Sequence, residues 1–172
     1  MKQLTRLKNR CIARLAHSIP AFADFLTASY TPQRSEDIPW TPIKKPLAES
    51  KIALVTTAGI HHGHQKPFDM EDPAGDSSYR MIDTETIEQD YLITHDYYDH
   101  RDAENDLNII FPVTRLKEMA ADGIVGSVAG HHVSFMGHIK GSHLESLIEN
   151  DAPEVAARFV QDHVDAVLLT PG

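Results

Sequence analysis

Histidine is the residue type whose placement in this 172-residue chain most suggests chemistry. His61, His62 and His64 directly follow one apolar run, and His131, His132 and His138 follow another that ends near Ala129. Imidazole titrates close to neutral pH, so histidines placed in this way can pass protons, bind anions or ligate a metal. A metal site would draw on His61, His64 and His132, with Asp99 or Asp106 adding a carboxylate for zinc, iron or manganese. Against that reading, no HExxH is present, and neighbouring histidines on an extended chain point in opposite directions, so each pair supplies about one ligand. Proton transfer, metal ligation and plain structural roles all stay open at this point. Thiol chemistry lacks its residue, because Cys11 is the single cysteine and can form neither an internal disulfide nor a CxxC pair. There is no GxSxG elbow, no GxxxxGK[ST] loop and no GxGxxG after a strand, which argues against serine hydrolysis and nucleotide binding. The glycines Gly123, Gly126 and Gly130 lead into a strand and not into a helix N-terminus, so they form no phosphate cradle.

The elements that must position these histidines are legible as apolar runs. Lys51 to Ala58 is apolar, β-branched and bounded by Gly59; its lack of polar alternation predicts a strand buried on both faces, as in a parallel sheet covered by helices. Leu107 to Phe111, Ile124 to Ala129 and Val164 to Thr170 read the same way. Helical spacing appears between them, from Val113 to Ala121 and from Pro153 to His163. Strands alternating with helices predict an α/β fold, an open and mostly parallel sheet with helices on both faces. In such sheets ligands bind at the carboxyl ends of the strands, which is where the histidines fall. His62 to Arg101 reads as a long functional loop, with a turn at Asp72 to Asp76 and a short helix around Thr84 to Tyr91.

Ahead of this domain, Leu4, Leu7, Cys11, Leu15, Ile19, Phe22 and Leu26 recur every three or four residues, the stripe of an amphipathic helix. Ser18 and Pro20 divide it, with Ser18 as the cap of a second segment. Cys11 is expected in the core. Tyr30 to Glu49 carries Pro32, Pro39, Pro42 and Pro46 and reads as an extended arm. The expected organisation is therefore a helical segment over 1–29, a Pro-rich arm over 30–50, and an α/β domain over 51–172. The net charge of −9 is uneven. Met1 to Pro20 carries Lys2, Arg6, Lys8, Arg10 and Arg14 and no acid, a charge of +5, so the remainder must carry −14. An acidic body repels nucleic acid. No stretch of about 18 apolar residues is present to span a membrane, and no uninterrupted apolar segment suggests a secretory signal, so a cytoplasmic location is expected.

Several blocks together resemble a known family. Val55 to His61, Asp76 to Arg80, Thr94 to Asp99, Asp106 to Pro112 with Arg115-Leu116, His132 to Gly137, and Val164 to Gly172 are similar, in order, to the selenoprotein B family of glycine, sarcosine, betaine and D-proline reductases. The spacing is most like the D-proline reductase selenoprotein subunit, and the resemblance covers Lys51 to Gly172, leaving the N-terminal helix outside. It implies that the strand up to Thr170 leads into a selenocysteine or cysteine just past Gly172. It further implies a selenolate or thiolate that attacks the α-carbon of a small amino acid activated by a pyruvoyl group on a partner subunit, cleaving the C–N bond. The cofactor expectation is thus none within this chain, with selenocysteine just beyond it and the pyruvoyl group on a partner in a homo- or hetero-oligomer. A UGA codon read as stop is the expected reason for the end at Gly172, and the 172-residue chain alone is expected to be inactive. His61, His95, Asp99 and His132, which fall in the matching blocks, are the expected pocket residues. Asp106 and Asn108 are expected to be structural, and Asp76 and Arg80 a surface pair. Two other readings stay open, a non-catalytic assembly module and a histidine-dependent metallohydrolase or lyase. Which amino acid is reduced is not legible.

Overall fold

The computed structural model describes residues 2–28, 41–85 and 91–172. Most of the expected arm over 30–50, and most of the helix expected around Thr84 to Tyr91, lie outside the described residues. In chain order the structure has helices α1 (Lys2–Ser18) and α2 (Pro20–Thr27), then strands β1 (Lys51–Thr56), β2 (Ile60–His62), β3 (Arg80–Asp83) and β4 (Tyr91–Ile93). Next come α3 (Arg101–Asn105), α4 (Val113–Ala121), β5 (Ser127–Val128), β6 (His131–Ser134), α5 (Ser142–Ser146), α6 (Ala152–Gln161) and β7 (Ala166–Thr170).

The longest apolar run supplies the centre of the main sheet. β1 pairs in parallel with β5 and β6 along one edge and with β7 along the other, while β3 joins β6 antiparallel. β2 and β4 form a separate antiparallel pair. Side chains alternate across β1, so its two faces bury different partners. Ile52 and Leu54 share a cluster with Val113 and Leu116 of α4, whereas Ala53 packs with Val155 and Phe159 of α6. The expected α/β sheet with helices on both faces is therefore present. Fully buried Leu54, Ile82 and Phe111 each stabilise it by roughly 1.5–3 kcal/mol relative to exposure.

Several local expectations are overturned, each for an identifiable reason. Leu107 to Phe111 is no strand. The Asp106 side chain accepts the Asn108 N–H at 3.0 Å and turns the chain into a single 3-10 turn, Leu107–Ile109, which buries Phe111 and leaves Ile109 exposed. His131 and His132 do follow a short strand, β5, but they are themselves the start of β6, because the run from Ile124 narrows to Ser127–Val128 and resumes after Gly130. Ser18 is no cap but the last residue of α1, and extended Ile19 precedes Pro20 at the start of α2. Cys11 is exposed, not core. Asp106 and Asn108 are structural, as expected, since the Asn108 side-chain Oδ1 accepts the Thr114 N–H at the start of α4. Asp76 and Arg80 form an ion pair at 3.8 Å, with side chains only 16% and 11% exposed.

Candidate functional site

The carboxyl ends of β1 and β7 lie side by side, with α4 on one face of the sheet and α6 on the other. That is the crevice where open α/β sheets bind ligands. Its floor is a set of short backbone and threonine contacts. The hydroxyls of Thr56 and Thr170 both donate to the Ile110 carbonyl, at 2.9 and 2.7 Å. The Thr57 N–H donates to the Thr170 carbonyl at 3.0 Å, and the Thr57 hydroxyl accepts the Gly172 N–H at 3.2 Å.

Two glycines bring the surrounding loops onto this floor. Gly59 has φ +72°; its N–H donates to the Phe135 carbonyl, its own carbonyl accepts the Thr94 N–H, and a Cβ there would lie 2.5 Å from the Thr94 oxygen. Gly137, with φ +81°, would place a Cβ 2.7 Å from the Thr57 carbonyl. Only glycine takes such φ values without cost and permits so close an approach. The segments Thr94 to Tyr98 and Phe135 to His138 thus meet beside the end of β1.

Four rings cluster there. His95 is buried and its ring stands edge-on to those of Tyr97 and Tyr98, with centroids 5.9 and 4.8 Å away, while Tyr97 stacks on His138 at 3.9 Å. The His95 Nδ1 accepts the Tyr97 N–H at 3.1 Å, which puts the proton of the neutral ring on Nε2. Burial, with the nearby His138 as a second cause, lowers the pKa of His95 to about 4. Burial also lowers that of His138 and raises that of Tyr98, whose hydroxyl donates to the Ala58 carbonyl at 3.1 Å. Near neutral pH the cluster is therefore two neutral imidazoles and two phenols. It carries no charge of its own, and its Tyr98 hydroxyl and His138 Nε2 are already bonded to the Ala58 and Pro73 carbonyls. The His95 Nε2–H remains to meet a ligand, and a hydrogen bond from it to an anionic group favours the charged form. The neighbouring acid, Asp96, is buried and taken by Arg6 of α1 at 2.6 Å.

The expected pocket residues are not brought together. Of the four, His95 alone belongs to this cluster. His61 is buried in β2, where Nδ1 donates to the His62 carbonyl at 2.9 Å and Nε2 accepts from the Thr94 hydroxyl at 2.8 Å; it borders a separate cavity of about 600 Å³. His132 lies inside the sheet, its Nδ1 accepting the Leu54 N–H at 2.8 Å and its ring edge-on to Phe111. Asp99 is held by the Arg101 guanidinium at 2.9 and 3.0 Å, which lowers its pKa to about 2. The metal set of His61, His64 and His132 is dispersed for the same reason, and among the described residues no three His, Cys, Asp or Glu side chains converge. His138, Tyr97, Tyr98 and Thr57 were missed as site residues. The signal was available, because all but His138 lie inside the blocks that carry the resemblance.

Comparison with known proteins decides the family. A model of the glycine/sarcosine/betaine reductase selenoprotein B family matches residues 6–172. The chain belongs to this family. The match begins at Arg6, so α1 lies within the family pattern and not outside it as the sequence reading had it. Over 133 residues the chain is 36% identical to the D-proline reductase subunit gamma of Acetoanaerobium sticklandii, covering 77% of this chain and 53% of that protein. It is 25% identical over 137 residues to the sarcosine reductase complex component B subunit beta of Peptoclostridium acidaminophilum, covering 77% of this chain and 30% of that one. To the glycine reductase complex component B subunit gamma of Symbiobacterium thermophilum it is 26% identical over 146 residues, covering 84% and 33%. The chain thus spans about half the length of the D-proline reductase subunit and about a third of the other two. No solved structure matches. The relatives are named as subunits or components of reductases, which are oxidoreductases. No helix among the described residues is long and apolar enough to cross a membrane.

Proposed function

We propose that this chain forms the sheet-bearing part of a cytoplasmic, selenol- or thiol-dependent reductase subunit. In this reading it reductively cleaves the C–N bond of a small amino acid, glycine, sarcosine, betaine or D-proline, carried as an adduct on a pyruvoyl-containing partner subunit. The observation that carries the reading is the crevice at the ends of β1 and β7, where Gly172 sits against Thr57 and against Ala58, whose carbonyl accepts the Tyr98 hydroxyl of the ring cluster. A redox residue directly past Gly172 would enter beside the cluster that holds the His95 Nε2–H, with the neighbouring Asp96 already paired to Arg6. The nucleophile such a reaction requires is the anionic form, a thiolate or selenolate. The chemistry the chalcogenolate supplies is displacement at the α-carbon with loss of the amine. The role of this chain's own residues is to hold the anion, exclude water and keep the imidazole protons on fixed nitrogens. The metallohydrolase alternative has no support, because both ring nitrogens of His61 are already engaged and His132 is closed inside the sheet.

The test is direct. The codon after Gly172 should be UGA or encode cysteine. The chain extended through that codon, combined with its pyruvoyl partner and a dithiol reductant, should release the reduced product from one of the four amino acids. A different codon, or an extended complex that binds its partner but turns over none of the four, defeats the proposal.

A further inference from the structure

We propose that the outward ridge of α1 is the docking site for a helix of a partner protein, one whose apolar stripe is edged by Asp and Glu. The inference stands on α1 and is independent of the redox chemistry. Helix α1 lies on its own domain by the side that is poorer in large apolar residues. Ala13 is buried against the domain, Arg6 reaches the buried carboxylate of Asp96, and Arg10 and Arg14 border a small crevice with Tyr98, Asp99 and Glu104. The ridge that should drive burial faces away: Leu4, Leu7 and Leu15 are 71%, 59% and 48% exposed, with Cys11 exposed between them, and α2 adds Phe25 and Leu26. Single exposed leucines are ordinary, but a ridge spaced i, i+3, i+7 and i+11 is a helix-packing surface.

The charges around the ridge select its occupant. Lys8, Arg10 and Arg14 flank it, and no acid precedes Asp24. A second copy of α1 would set one +5 segment against another, and like charges along a helical seam disfavour pairing. An anionic lipid surface calls for a broader, uninterrupted apolar face than this narrow ridge. A leucine-striped helix with acidic edges meets both requirements, as the flanking positions of heterotypic coiled coils do.

Two peptides with the same leucine heptads, one with Glu and one with Lys at the flanking positions, test this against the intact 172-residue protein. The Glu peptide should bind at least about tenfold more tightly than the Lys peptide, weaken as salt rises, and shield Cys11 from maleimide. The Leu7→Glu/Leu15→Glu variant should lose the binding while keeping its far-UV spectrum and melting temperature. Equal affinity for the two peptides, no binding of either, Cys11 already shielded in a self-associated protein, or binding to phosphatidylglycerol vesicles that the variant loses, would each overturn the proposal.

Discussion

Two buried imidazoles set the acid limit of this protein. Burial lowers the pKa values of His95 and His132 from 6.5 to about 4, so the folded protein refuses protons that the unfolded chain accepts. Their contribution is present above pH 6.5 and is lost as the pH falls from 6.5 towards 4. For His132 the full loss is roughly 3 kcal/mol. The urea midpoint should therefore fall steeply as the pH drops from 6.5 towards 4. Replacing His132 with Asn keeps an acceptor for the Leu54 N–H but sacrifices packing against Phe111. We expect His132→Asn to cost about 1–2 kcal/mol at pH 7 and to flatten the acid limb in parallel denaturation series. Tyr98→Phe leaves the Ala58 carbonyl without its donor and should cost about 1 kcal/mol by the same measurement. Residue types alone marked histidine as the interesting residue, but could not separate His132, closed inside a sheet, from His95, beside the crevice. Burial makes that distinction, together with the Nδ1 partner of His132, the Leu54 N–H of a neighbouring strand.

Among the elements, β1, α4 and α6 were legible because their signals are local and strong. Val113 to Ala121 is read from spacing and found with the same bounds, and the unbroken apolar run of β1 correctly implied burial on both faces. Leu107 to Phe111 failed because an equally apolar run can be buried by a turn, and the carboxylate of Asp106 decided which. The crevice depends on the close approach of β4 to the exit of β1. Gly59→Ala should therefore push Thr94 away and destabilise the protein by roughly 2–4 kcal/mol, seen as a lowered melting temperature with loss of the Tyr98 contact. Helix α1 is fixed differently, by one ion pair to an interior carboxylate. Arg6→Gln should cost only about 1 kcal/mol overall, because the arginine is half-exposed. Hydrogen exchange should nevertheless accelerate throughout α1 and leave β1 unchanged, and equal acceleration in both would refute this view of the anchor.

At the scale of the molecule, the sheet keeps an apolar margin. Leu168 and Leu169 of β7 and Val160 of α6 are 45%, 72% and 72% exposed. Apolar residues on the edge strand of a parallel sheet favour self-association. The isolated chain should bind a hydrophobic dye such as anilinonaphthalene sulfonate, and Leu169→Lys should reduce that signal while changing stability by less than about 0.5 kcal/mol. The sequence by itself determined the fold class, the acidic body with its basic helix, and the family, because periodicity, charge and ordered motifs are written along the chain. It also marked the crevice edge, since apolar runs show where strands end and ligands of open α/β sheets bind at those carboxyl ends. Only the tertiary structure decided that His61, His95, Asp99 and His132 go to different places, that His138 joins His95, and that the apolar ridge of α1 faces outward. Each of these outcomes is a competition between burial, hydrogen bonding and charge among residues far apart in the chain, and local sequence does not record which of the three prevails.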